Sequence, residues 1–131
     1  MSYNREYKSS VFAMLYEDKE NLLDLYNGVN GKSLTNADDI TVNTLTDKDG
    51  VESGIFMKVK NDVSFIFDSY LSLYEHQSTV NNIIPLRMLL YAARLMYNMT
   101  SRKELYREKA IELPAPRFAV FYNGTAKIPA K

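Results

Sequence analysis

Residues 61–77, NDVSFIFDSYLSLYEHQ, constrain this chain more than any other stretch: they spell two strands joined by a turn, with an acid at each open end. Val63, Phe65 and Phe67 alternate along the first strand and Leu71, Leu73 and Glu75 along the second, the period of two that marks β structure. With Asp68 and Ser69 as a two-residue turn, Phe67 faces Tyr70, and counting outward sets Asp62 opposite Glu75. Directly opposed side chains lie roughly 4.5–5.5 Å apart at Cβ. Two carboxylates that close repel each other, so the pairing gains the fold nothing unless a cation sits between them. Gln77, two residues on, returns to the face of Glu75. An Asp, a tight hairpin and then Glu-x-Gln is a way to build a divalent metal site suited to phosphodiester chemistry.

Both faces of this hairpin are apolar, with Val63, Phe65 and Phe67 on one and Ile66, Leu71 and Leu73 on the other. A sheet with one wet face would alternate apolar and polar residues, so the hairpin is expected to be central, with helices covering both faces. Upstream, Ser9 or Ser10 is placed to cap a first helix carrying Val11, Phe12 and Leu15. Asp18 opens a second helix with Leu22, Leu23 and Tyr26 inward and Gly28 as its stop. Residues 40–45, ITVNTL, read as a strand, and residues 54–59 as a second strand or its bent continuation. After Gln77, Pro85 fits the first turn of a helix with Asn82 as its cap. That helix is expected to run to about Met99 with Leu86, Leu89, Leu90, Ala93, Met96 and Tyr97 inward. LPAP stops the charged run that follows, and Arg117 to Tyr122 form a last strand. The expected fold is a single α/β domain over residues 1–131, a mixed central sheet of about four or five strands flanked by helices.

Composition narrows the chemistry. Cysteine is absent and His76 is the single histidine, which excludes thiolate and His-rich metal sites and leaves one imidazole for base work. No apolar run reaches the length of a membrane span, and the polar first residues fit a cytoplasmic protein. The net charge is zero, yet residues 1–79 carry 7 basic and 13 acidic side chains while residues 80–131 carry 9 basic and 3 acidic. The asymmetry fits a phosphate-facing side as well as it fits two complementary halves packed together.

The order α, β, β, β, α, β, with Asp62 opening one hairpin strand and Glu75-His76-Gln77 closing the next, resembles the PD-(D/E)XK nuclease superfamily and its restriction-endonuclease-like core. More narrowly, KSSVFAMLYEDKENLLDLYNGVNG, KNDVSFIFDSYLSLYEHQST, IPLRMLLYAARL and LPAPRFAVFYNG together look like the bacterial recombination-promoting nuclease / transposase family, over residues 7–124. The resemblance implies a magnesium-dependent DNA endonuclease, manganese serving as a substitute. Asp62 and Glu75 would be metal ligands and Gln77, standing where the superfamily usually has lysine, would orient the attacking water. Family members read KDSVF near the start, with an acid placed to complete the metal site. Here the line is KSSVF, so Ser9 occupies the acidic position, and a hydroxyl is a poor substitute for a carboxylate at a hard cation. Members also continue past the FYNG block into further helices, which leaves open a natural short member, a degenerate copy and a C-terminally shortened piece. These departures sustain an alternative, a catalytically impaired nuclease-fold module that binds DNA or a protein partner.

Each candidate also has a plain structural reading. Asp62 and Glu75 can be exposed strand ends satisfied by Lys58 or Lys60. His76 falls on the opposite face from Glu75 and is expected to pack in the core, not to act as the base. Arg87, Tyr91 and Arg94 share a helix stripe. Both arginines are placed to contact phosphate, and Arg87 also to brace the carboxylates; a solvated or structurally bonded stripe suits Arg94 better than Arg87. Tyr74 and Tyr122 are expected to pack, and the residues from Arg102 to Glu112 to form a solvated face. The apolar strand 118–122 leaves an edge through which, or through the helices, a homodimer can form.

Overall fold

The computed structural model describes residues 11–45, 61–100 and 112–125. Residues 11–15 are helical, and helix α1 follows over Lys19–Asn30. Asp18 caps it as the sequence predicts, its carboxylate accepting from the backbone of Glu20 at 2.8 Å and of Asn21 at 3.3 Å. The stop is Gly31 and not Gly28: Gly31 adopts φ 63°, and its N–H closes on Asn27. Only a residue without Cβ takes that left-handed turn at no cost. Leu22, Leu23 and Tyr26 are buried, as their spacing predicts. In the first helical segment the expected stripe holds for one residue of its three. Phe12 packs against the core and Tyr16 joins it, while Val11 and Leu15 are exposed.

The sheet has four strands in the order β1 (Thr41–Val42), β2 (Val63–Phe67), β3 (Tyr70–Gln77) and β4 (Ala115–Tyr122). β1, β2 and β3 pair antiparallel and β4 joins β3 parallel, so the sheet is mixed. A parallel partner needs a crossover, and α2 (Ile84–Asn98) supplies its helix. Residues 40–45 form less strand than expected. Only Thr41 and Val42 pair in the ladder, after which Asn43 and Thr44 hold on through the backbone of Ser64. The strand expected at residues 54–59 lies outside the described residues.

The hairpin follows the predicted register, Phe67 against Tyr70 and Val63 against Tyr74. Asp68 and Ser69 both take positive φ, 54° and 66°, the turn whose twist matches that of the strands. The turn is pinned from outside. Asp68 accepts from Lys32 in an ion pair and from the Tyr26 hydroxyl at 3.0 Å, which hold its carboxyl below the usual range. Burial first, and then this acid, push the Tyr26 phenol up to about 12. Arg117 stacks its guanidinium over Tyr70 at 3.3 Å and donates to Asn30 at 3.0 Å, tying β4 to the end of α1. A side chain at positive φ is strained, so Ser69→Gly is expected to raise stability by about 0.5–1 kcal/mol in urea unfolding. A lowered midpoint would show that the serine hydroxyl contributes more than the strain costs.

Helices cover both faces of the hairpin. On one, Leu22, Leu23 and Tyr26 of α1 meet Val63, Phe65, Phe67 and Tyr74; on the other, Met88, Tyr91, Ala92 and Leu95 of α2 meet Leu71, Leu73 and Leu45. The inward face of α2 differs from the one expected. Of the predicted residues only Met96 packs, while Leu86, Leu89, Leu90, Ala93 and Tyr97 are exposed. Pro85 stands in the first turn as predicted, but Asn82 is not the cap. The N-cap position is Ile83, whose N–H reaches the side chain of Asn81 at 3.0 Å. Among the described residues no helix is long and apolar enough to cross a membrane.

Candidate functional site

The hairpin register continues one step past Val63 and Tyr74, which brings Asp62 beside Glu75 at the open end. Each acid is tied to the opposite strand. Asp62 Oδ2 accepts from the backbone N–H of His76 at 2.7 Å, and Glu75 Oε1 accepts from the backbone N–H of Asp62 at 3.2 Å. Both side chains lie on the α2 side of the sheet, the face of Leu71 and Leu73. The reading of Asp62 and Glu75 as solvent-exposed strand ends fails on burial: Glu75 is 2 % exposed and Asp62 half-buried. Lys58 and Lys60, their proposed partners, lie outside the described residues, as does Ser9.

Burial of two adjacent acids is unfavourable in their charged forms. Loss of water, and then the charge of Asp62, push the Glu75 carboxyl up to about 8. Asp62 is also raised, by burial, against hydrogen bonds from His76 and Glu75 that hold it down. The pair titrates as a unit. Near neutrality the pair therefore holds a proton between its two carboxyls. Arg87, half-buried in the first turns of α2, favours ionisation of both acids through its charge. Its guanidinium is held by Tyr91, with Nε at 3.3 Å and Nη2 at 2.9 Å from the phenol oxygen.

Gln77 ends β3 half-exposed, on the face of Glu75 by alternation, and its backbone carbonyl accepts from Asn123 at 3.1 Å. Asp62, Glu75, Gln77 and Arg87 thus share one side of the sheet. His76 lies on the other, as predicted, 5.6 Å from the Phe12 ring and in register with Phe121. Its Nδ1 is buried and finds no hydrogen bond among the described residues. Tyr74 is buried edge-on to Phe65 and Phe121, so its expected packing role holds. Arg94 lies 5.3 Å from the Tyr97 ring centroid.

Sequence reasoning missed Asn61. It is 3 % exposed, and its side-chain oxygen accepts from the backbone of Leu45 at 2.7 Å, clamping the chain after β1 to the residue before Asp62. The signal was a polar residue, Asn61, immediately before an acid at a strand start, which is also how a loop reads. It also missed the phenol that holds Arg87.

As a cation site the pair is half of a shell. Among the described residues no group of three or more His, Cys, Asp or Glu side chains could hold a metal. Two carboxylates do suit magnesium, which is commonly held by one or two acids, water and substrate phosphate. A divalent ion between the two carboxyls would offset the repulsion that raises Glu75 and would release the proton it holds. In comparisons with known proteins, no family model, no curated protein and no solved structure matches this chain.

Proposed function

We propose that this domain is the core of a metal-dependent deoxyribonuclease, a phosphodiester hydrolase of the recombination-promoting type, built on a restriction-endonuclease-like fold. The observation that carries the reading is the placing of two acids, buried Glu75 and half-buried Asp62, side by side at one end of a central hairpin, each tied to the opposite strand. Purely structural acids are seldom placed where each raises the cost of the other. Asp62 and Glu75 would hold Mg²⁺ or Mn²⁺, giving up the shared proton as it enters. When bound, the metal supplies Lewis acidity toward a phosphate oxygen and lowers the pKa of a water. Gln77 would orient that water through its amide, without adding charge. Arg87 supplies positive charge on the same side, either to the phosphate or to the acids.

A second reading is a nuclease-fold module that binds DNA or a protein partner without cutting. The Ser9 hydroxyl in the family's acidic position favours it, as does the zero net charge.

Calorimetric titration with Mn²⁺ at pH 8, comparing the native chain with Glu75→Ala, tests the first reading. Saturable binding lost in the variant, with plasmid cleavage lost by about a thousandfold or more, is the expected result. Cleavage that survives Glu75→Ala would sink the assignment. If the native chain binds no metal, Ser9→Asp decides: metal-dependent cleavage gained there marks a decayed nuclease, and continued inactivity the binding module.

A further inference from the structure

Arg87 is distinguished by what holds it. Its Nε and Nη2 both donate to the phenol oxygen of Tyr91, one turn along α2. Tyr91 is itself 4 % exposed, in the cluster with Leu71, Leu73, Met88 and Leu95. The ring cannot swing away without opening that core, so the acceptor is fixed. It is also neutral. Among the described residues the one ion pair joins Lys32 to Asp68, so Arg87 makes no direct salt bridge with Asp62 or Glu75. The guanidinium nevertheless stands on their side of the sheet. Only six residues separate the end of β3 from the start of α2, so the first turns of α2 stand toward the Glu75 end of the sheet, and both acids feel the charge of Arg87.

These facts separate the roles left open for Arg87. An arginine bracing the acids would direct its planar fork at them and be neutralised there. Here Tyr91 takes one edge, Nε and Nη2, and leaves three N–H donors, two of them side by side on the edge formed by Nη1 and Nη2. That edge matches two oxygens of a phosphate, the bidentate geometry a lysine lacks. A neutral acceptor orients the fork without cancelling its charge, and fixing it beforehand lowers the entropy lost on binding.

We propose that Arg87 is the seat for a backbone phosphate of the nucleic acid beside Asp62 and Glu75, and that Tyr91 is its positioning residue. The identity of the phosphate as a DNA diester rests on the nuclease reading above; the seat itself rests on the Arg87–Tyr91 geometry.

The test is a titration of the full chain with inorganic phosphate, in the absence of divalent metal, followed by ¹⁵N NMR at the Arg87 Nε–H resonance. That resonance is assigned by its loss in Arg87→Ala. Native protein, Tyr91→Phe, Arg87→Ala and the double variant are compared. Phosphate is expected to shift the Arg87 resonance, and Tyr91→Phe to weaken binding about fivefold while keeping the ring in the core. In the Arg87→Ala background Tyr91→Phe should change phosphate affinity no further, a coupling that a merely structural role would not produce. Equal affinity in native protein and Tyr91→Phe would overturn the proposal, as would independent losses that add. Phosphate that leaves the Arg87 resonance unmoved would overturn the seat, while the Mn²⁺ titration still decides the metal reading. Coupled phosphate binding in a chain that neither binds metal nor cuts plasmid would uphold the seat and remove the nuclease.

Discussion

Glu75→Gln is expected to stabilise the metal-free domain at alkaline pH and to flatten its stability between about pH 5 and 9. Glu75 is 2 % exposed, and its carboxyl is raised from 4.5 to about 8, by burial first and then by Asp62. A carboxyl whose folded pKa exceeds its unfolded value holds its proton more tightly when folded. The stability it contributes is complete below about pH 4.5 and is lost as the pH rises through about 8. The gap corresponds to roughly 5 kcal/mol at most, shared between two acids that titrate together. Glutamine keeps an acceptor for the N–H of Asp62 and removes the buried ionisation. Urea unfolding in EDTA at pH 6 and pH 9 would show native protein losing stability with pH and the variant holding it. Identical pH dependence in the two proteins would mean that another group titrates. On the proposed reading, adding magnesium at pH 9 restores the native protein and leaves the variant unchanged, a trade of stability for function at a single residue.

Phe65→Ala should cost about 3–5 kcal/mol, a large share of what holds a domain of this size together. Phe65 is 0 % exposed at the centre of β2, edge-on to Tyr26 at 6.0 Å and to Tyr74 at 5.2 Å. Both rings lose a partner when it is truncated, and both carry hydroxyls that limit how they repack. Thermal unfolding followed by circular dichroism measures the loss. Phe118→Ala makes the contrast. Phe118 is 47 % exposed on the outer strand, and the same truncation there should change stability by about 0.5 kcal/mol or less. A Phe65→Ala loss near that figure would show that the α1-side core collapses into the gap.

The hairpin was legible because its chemistry is redundant. Alternation fixes the faces, a two-residue turn at Asp68 and Ser69 fixes the register, and together they set Asp62 against Glu75 without knowledge of the rest. Helix α2 was not legible, because it is apolar nearly all round. Leu86, Leu89, Leu90 and Ala93 make a better hydrophobic stripe than Met88, Tyr91, Ala92 and Leu95, yet the second set faces the sheet. A helical period identifies a stripe but cannot choose between two. The choice matters for the site. Turning Tyr91 inward places Arg87 on the side of the sheet that carries the acids, and covering the hairpin end buries Glu75. Alternation alone gave no burial for a strand-end acid, so neither its raised pKa nor the role of Tyr91 was available from sequence. β4 reads as a strand from residue 117, but its parallel alignment to β3 depends on the path of the crossover.

That alignment separates two timescales of assembly. Partners across the hairpin are 3 to 11 residues apart, from Phe67 with Tyr70 to Val63 with Tyr74, whereas every β3–β4 partner lies 45 residues away, from Tyr70 with Ala115 onward. Closing the larger loop costs more entropy, and no contact rewards it until α2 has docked. On a ribosome, β2 and β3 emerge and zip while β4 is still unmade, leaving the outer edge of β3 bare for the time needed to translate the interval. At roughly 5–20 residues per second that interval lasts seconds. The strand that presents Glu75 is therefore finished on one side long before the other, and a nascent chain is most open to wrong pairing at the strand on which its chemistry depends.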